Sequence, residues 1–230
     1  MRVVIVGASR GIGLEFVRQY QAAGARVVAG CRNPSAAGAL RDIAKTSAGH
    51  VIVEALDIAD GASVVRFAGA LASGPIDLVL ISAGTAGPEN QHLLGALDFD
   101  RWAETFATNT IGPVRIADAL RANLVATPGS KLVALTSGLG RTSQPGGDYL
   151  AYRASKAALN NAWANLALAL RPEGVICTLL SPGWVKTDMG GEKADLTPGE
   201  SVTALRAKIE TLTMEDSGRY FAWGGLEQPW

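Results

Sequence analysis

Of the four tyrosines in this chain, only Tyr152 is followed four residues later by a lysine, in the run Tyr152-Arg-Ala-Ser-Lys156. On a helix that spacing places phenol and ammonium on one face. A phenol ordinarily titrates near 10, and a neighbouring cation favours its ionised form, drawing it toward a pKa useful for proton exchange. Taken alone, the pair also describes a solvated lysine beside a half-buried tyrosine, so its surroundings must decide. Ser137 closes the apolar run Lys131 to Thr136, fifteen residues before Tyr152, where its hydroxyl can face the phenol or cap a turn. Asn109 lies inside a long helical stretch, where asparagine is a mediocre helix former and needs a polar partner if it is buried.

A second group of residues has the pattern of an anion site. The first apolar run ends in Gly7-Ala-Ser9-Arg10-Gly11-Ile12-Gly13, followed by an amphipathic stretch through Leu14, Phe16, Val17 and Tyr20. Glycines at 7, 11 and 13 allow a sharp turn, a close approach to a pyrophosphate and tight packing of the helix, whose N-terminus then faces the anion. The second run ends in Cys31-Arg32-Asn33, with no carboxylate to accept from a ribose 2′-hydroxyl. Arg10 and Arg32, with Ser9 and Asn33 as neutral donors, suit a 2′-phosphate and so NADP(H) over NAD(H). After the third run, Asp57-Ile58 offers a carboxylate that can cap the next helix or accept from an adenine amino group, while Asp60 reads as a cap. Ala83-Gly84, after the fourth run, are small enough to let a dinucleotide lie against the backbone, and suit a plain turn equally well. The sixth run exits through Ser181-Pro182-Gly183-Trp184-Val185-Lys186-Thr187, whose backbone and Thr187 hydroxyl can hold a polar ring substituent.

These residues need a scaffold, and the chain supplies an alternating one. Seven short apolar runs, Arg2 to Val6, Arg26 to Gly30, Val51 to Ala55, Asp77 to Ile81, Lys131 to Thr136, Val175 to Leu180 and Arg219 to Ala222, read as strands. Helical patterns fall between them at Gly13 to Ala23, Ala36 to Thr46, Ala62 to Leu71, Phe99 to Val125 and Tyr149 to Leu170, the fourth with a break expected at Gly112-Pro113. Runs that are apolar at every position belong to strands covered on both faces, hence a parallel sheet with crossover helices on either side. No linker or repeat divides residues 1–230, so one domain is expected, with a substrate lid near 184–200 where the pattern is least regular.

Composition excludes several alternatives. Twenty-one basic residues balance twenty-one acidic ones, which leaves no bulk field for nucleic acid or an anionic bilayer. With 48% hydrophobic and 18% charged residues, the chain is neither disordered nor a charge-dense coiled coil. No apolar run reaches the roughly eighteen residues of a membrane span, and a glycine turn at Gly7 leaves no room for a signal peptide. Cys31 and Cys177 lack metal-ligand spacing and read as reduced packing residues of a cytoplasmic protein, with no metal site.

Taken together and in order, Gly7, Gly11, Gly13, Asp57, Ala83-Gly84, Asn109, Ser137, Tyr152-x-x-x-Lys156 and Pro182-Gly183 resemble the short-chain dehydrogenase/reductase family over nearly the whole chain. Cys31-Arg-Asn-Pro34, Tyr152-Arg-Ala-Ser-Lys-Ala-Ala-Leu-Asn160 and a tail ending in Pro229-Trp230 look like its C-factor and Sniffer-type carbonyl reductases. The resemblance implies a single-domain Rossmann fold: a doubly wound, seven-stranded parallel sheet in the order 3-2-1-4-5-6-7. It implies a reductase of aldehydes or ketones, interconverting small-molecule carbonyls and alcohols, with NADP(H) as cofactor and a homodimer as assembly. Tyr152 would be the acid, Lys156 would lower its pKa and bond the nicotinamide ribose, Ser137 would orient the substrate oxygen, and Asn109 would hold a relay water. Thr187 and the Val185 backbone would secure the carboxamide. Leu139, Trp184 and Met189, with 138–148 and 184–200 framing the pocket, would favour an apolar carbonyl compound. A regulatory protein that binds the dinucleotide without much chemistry is the rival that C-factor brings; an extended-branch sugar-nucleotide epimerase would need a larger C-terminal region. Val6 stands where the family usually has threonine, and Ile81-Ser82 where it has Asn-Asn, which puts in question the hydrogen bonds tying the central strands together.

Overall fold

A computed structural model describes residues 1–71, 74–88 and 94–230. The strands are β1 (Arg2–Val6), β2 (Arg26–Cys31), β3 (Val51–Ala55), β4 (Leu78–Ile81), β5 (Lys131–Leu135), β6 (Ile176–Ser181) and β7 (Tyr220–Ala222). The helices are α1 (Gly11–Ala22), α2 (Gly38–Thr46), α3 (Gly61–Ala70), α4 (Phe99–Phe106), α5 (Gly112–Ala119), α6 (Arg121–Val125), α7 (Leu150–Leu170) and α8 (Pro198–Thr211). Among the described residues the strands form one sheet, ordered β3-β2-β1-β4-β5-β6-β7, and every pairing is parallel. Successive side chains of a strand point to opposite faces, so the continuous apolar runs feed two cores. Val3, Ile5, Val27 and Leu80 pack under α1, α2 and α8, with Phe16, Leu40 and Leu205. Val4, Val6, Val28 and Val79 pack under α3, α5, α6 and α7, with Phe67, Ile116 and Trp163. Each such side chain contributes about 1.5–3 kcal/mol by leaving water, so the sheet is a rigid platform for the loops at its C-terminal edge.

The sheet order reverses direction between β1 and β4, and at the C-terminal end of that junction the backbone supplies the hydrogen bonds. Val6 pairs with Ile81, and the Val6 carbonyl accepts from both Ser82 N–H (2.9 Å) and Ala83 N–H (3.0 Å). The unusual Val6 and Ile81-Ser82 therefore cost no strand pairing.

Three expectations about helices need correction. The break in 99–125 is not at Gly112-Pro113, which open α5. A single wide turn at Ala107–Ile111 precedes them, closed by Gly112 N–H to the Ala107 carbonyl, and the chain breaks instead at Leu120. Pro113 has no N–H for the Asn109 carbonyl four residues back, so the regular ladder cannot continue there. The helix α8 was absent from the sequence pattern, although Thr197 and Glu200 form a reciprocal cap around Pro198, a readable start signal. Its first turn takes residues 198–200 out of the expected lid. What remains, 184–197, is a loop pinned by a Val185 to Leu196 bridge and by Lys186 N–H to the Leu196 carbonyl at 2.8 Å. Asp60 caps α3 as expected, accepting from Ala62 N–H at 2.9 Å. No helix among the described residues is long and apolar enough to cross a membrane.

Candidate active site

A cleft of about 1150 Å³ runs along the C-terminal edge of the sheet, across the β1/β4 junction, the position where open α/β sheets receive ligands. At one end is the glycine turn. A Cβ on Gly7 would lie 2.6 Å from Ala83 N, and one on Gly13 would overlap the Gly7 carbonyl; only glycine lets the turn, β4 and α1 approach so closely. Arg10 precedes α1 without a side-chain cap, so the first N–H groups of the helix are not claimed by a neighbouring side chain and favour an anion. Ser9, Arg10, Gly11 and Ile12 line the cleft here, with Asp57, Ile58, Ala83 and Gly84 beyond them. Asp57 turns one oxygen to Ala59 N–H at 2.9 Å, the local role of a turn carboxylate. Arg32 lines both this cleft and an adjoining hollow of about 630 Å³, which it shares with Ser9, Arg10 and Asn33. Arg10 also pairs with Asp188 across the mouth at 3.3 Å, both side chains about three-quarters exposed.

At the other end, α7 brings Tyr152 and Lys156 into the cleft wall. Ser137 Oγ accepts the Leu139 N–H at 3.2 Å and hydrogen-bonds the Tyr152 phenol. Lys156 Nζ sits 5.9 Å from the Tyr152 ring centroid and donates to the Leu135 carbonyl at 2.9 Å. Asn109 is fully buried. Its Nδ2 donates to the Thr85 carbonyl (2.8 Å) and to Ser155 Oγ (3.0 Å), while Oδ1 accepts Thr85 N–H (2.8 Å). Both amide hydrogens are thus committed to fastening the loop after β4 onto α7. Pro113 also denies the Asn109 main-chain carbonyl its ordinary helical donor four residues on.

The electrostatics differ from the sequence expectation. Burial raises the Tyr152 phenol above its ordinary 10, and the Ser137 hydrogen bond opposes this. Burial also lowers the Lys156 ammonium from its ordinary 10.5 to about 8. Desolvation penalises both charged forms, and at Tyr152 it outweighs the Ser137 hydrogen bond. Tyr152 therefore keeps its proton at neutral pH, beside a lysine that is still largely protonated.

Not every expected residue reaches the cleft. Pro182 and Thr187 line it; Gly183 packs against Leu196 and Trp223, and Val185 is buried with its carbonyl taken by Thr187 Oγ1 at 3.3 Å. Of the three expected apolar pocket residues only Met189 lines the cleft. Leu139 and Trp184 stand exposed outside it, the Trp184 indole held by the Gly190 carbonyl at 2.8 Å. The sequence reading also missed a wall. Arg101, Glu104, Thr105 and Thr108 line the cleft from one face of the 99–111 stretch, detectable as polar residues at helical spacing. Tyr220 was missed too: it is buried, hydrogen-bonded to Ser181, and close enough to Tyr152 for a charge on it to raise the Tyr152 pKa.

The chain as a whole is similar to known proteins. A family model described as short chain dehydrogenase matches residues 1–197. C-signal of Myxococcus xanthus is 40% identical over 166 residues, 71% of this chain and 98% of that protein. A 1-hydroxy-2-glutathionyl-2-methyl-3-butene dehydrogenase of Rhodococcus sp. (strain AD45) is 33% identical over 237 residues, 99% of each. The solved structure of NADPH-bound carbonyl reductase from chicken fatty liver superposes with a TM-score of 0.92 at 29% identity, covering 100% of this chain and 98% of that one.

Proposed function

The chain belongs to the short-chain dehydrogenase family, and on that premise we propose that it is an NADPH-dependent reductase of aldehydes or ketones. The observation that carries this reading is the Tyr152 phenol, bonded to Ser137 and backed by Lys156, in the wall of a cleft that continues to the glycine turn. The donor set fits the dinucleotide. The open N-terminus of α1 suits its pyrophosphate, and Arg10 and Arg32 flank the hollow where a 2′-phosphate would be held. NADPH, when bound, supplies the hydride.

The chain's own residues do the rest. Ser137 donates to the substrate oxygen and fixes it beside the phenol. Tyr152 gives its proton to that oxygen as the carbonyl becomes an alcohol, and the phenolate left behind is stabilised by the Lys156 ammonium and the Ser137 hydroxyl. The Asn109 carbonyl accepts from a water that returns a proton through Lys156.

The test is NADPH oxidation with a reactive dicarbonyl or quinone, comparing the native protein with Tyr152→Phe. A fall in kcat of about 10²–10⁴-fold, with NADPH affinity retained, is expected. The 40% identity to C-signal favours a second reading, a regulatory protein that binds the dinucleotide and does little chemistry. Equal rates for the two proteins would select it.

A further inference from the structure

Asn160 lies on α7, eight residues after Tyr152 and four after Lys156, so the three share one stripe of the helix. It is 3% exposed, an expensive place for an amide unless both its ends are used. They are. Thr136 Oγ1 donates to Asn160 Oδ1 at 2.5 Å, and Asn160 Nδ2 donates to the Gly140 carbonyl at 3.3 Å. Thr136 precedes Ser137 directly, and Gly140 closes the short turn that Ser137 opens, its N–H on the Ser137 carbonyl at 2.9 Å.

We propose that Asn160 is a positioning residue for Ser137: by joining Thr136 to Gly140 across the base of this turn, it sets where the Ser137 hydroxyl stands relative to Tyr152. The turn is pressed hard against α7, since a Cβ on Gly140 would lie 2.7 Å from Lys156 Cβ and 3.0 Å from the Lys156 carbonyl carbon. Lys156 holds the strand side through the Leu135 carbonyl, and Asn160 holds the two inward-facing polar groups on either side of Ser137. An amide is the side chain that offers an acceptor and a donor in one plane, which this pair of partners requires. Helix α7 thus carries the acid, its ammonium neighbour and the anchor of the orienting hydroxyl at successive fourth positions.

This proposal rests on the reductase reading, and a double-mutant cycle separates the two. With a reactive dicarbonyl and NADPH, Asn160→Ala should lower kcat by about ten- to hundredfold, the scale of a small misplacement of a reacting group. KM and NADPH binding, followed by fluorescence, should be little changed. In a Ser137→Ala background the same substitution should cause no further fall in single-turnover rate, because its effect passes through that hydroxyl. A kcat within twofold of native, or the same loss in both backgrounds, overturns the proposal. Thr136→Val breaks the same bond from its other end and decides the cycle if Asn160→Ala does not fold. Native rates for Tyr152→Phe and Ser137→Ala would remove the reductase reading itself, and this proposal with it.

Discussion

The two ends of the cleft are built in opposite ways. Around α7 the working groups are bonded inside the protein: Asn109 is fully buried, Lys156 is 5% exposed, and each reaches across to a different strand end or loop. Around the glycine turn the working groups are backbone N–H and two arginines in solvent, with Arg10 about three-quarters exposed and Arg32 likewise on the surface. Proton transfer demands geometry held to a fraction of an ångström and a dielectric low enough to shift pKa values, which only burial provides. Recognition of a phosphate demands charge and reach, which long exposed side chains provide without cost to the core. Substitutions at the first end should therefore change rate and stability together, and those at the second should change cofactor preference alone.

Lys156→Met probes the contrast most strongly. Reductase activity should fall at least about a hundredfold. Yet a lysine whose pKa drops from 10.5 to about 8 on folding costs about 3 kcal/mol at pH 7. Removing it relieves that cost, and loss of the bond to the Leu135 carbonyl takes back about 1–3 kcal/mol. Thermal melts at pH 7 should find the variant at least as stable as the native protein. Between about pH 8 and 10.5 the native protein should gain on it, because there the unfolded chain binds the proton that the folded one has already lost. A variant clearly less stable at pH 7, with no such trend, would mean the ammonium is not penalised by burial. The same titration predicts that native reductase activity declines above about pH 8.

Arg32→Asp tests the open end with an intermediate effect. Losing one charge-assisted bond of about 1.5–3 kcal/mol should cut the NADPH over NADH preference by about ten- to a hundredfold, measured as a ratio of kcat/KM. Melting temperature should hardly move, as at other surface sites. An unchanged ratio would remove Arg32 from the phosphate site. The smallest effect belongs to Asp188→Ala, which frees Arg10 from a pair worth at most about 1 kcal/mol. NADPH should bind up to about fivefold tighter at low salt, NADH no differently, and the gain should vanish in high salt. Equal gains for both cofactors would mean that the loop, and not Arg10, responds.

Much of the platform could be read from residue order. The seven strands were visible because parallel strands buried on both faces are apolar at every position, and the glycine turn because no side chain fits between Gly7 and Ala83. Tyr152 and Lys156 were visible because a helix converts a spacing of four into one face. Asn160 was visible only as a letter in that motif, since its partners Thr136 and Gly140 lie twenty or more residues away. Trp184 and Leu139 misled for the same reason: apolarity was legible, but direction depends on how their loops pack.

The order of types along the chain determined the sheet, its alternation with helices, the glycine turn and the one-face pairing of Tyr152 with Lys156. Folding alone decided which groups lost their water. That loss raised the Tyr152 pKa where the local motif argued for lowering it, and committed the Asn109 amide to holding the chain together. Solvation is a property of everything packed around a group, and most of what surrounds Tyr152, Lys156 and Asn109 comes from distant parts of the chain.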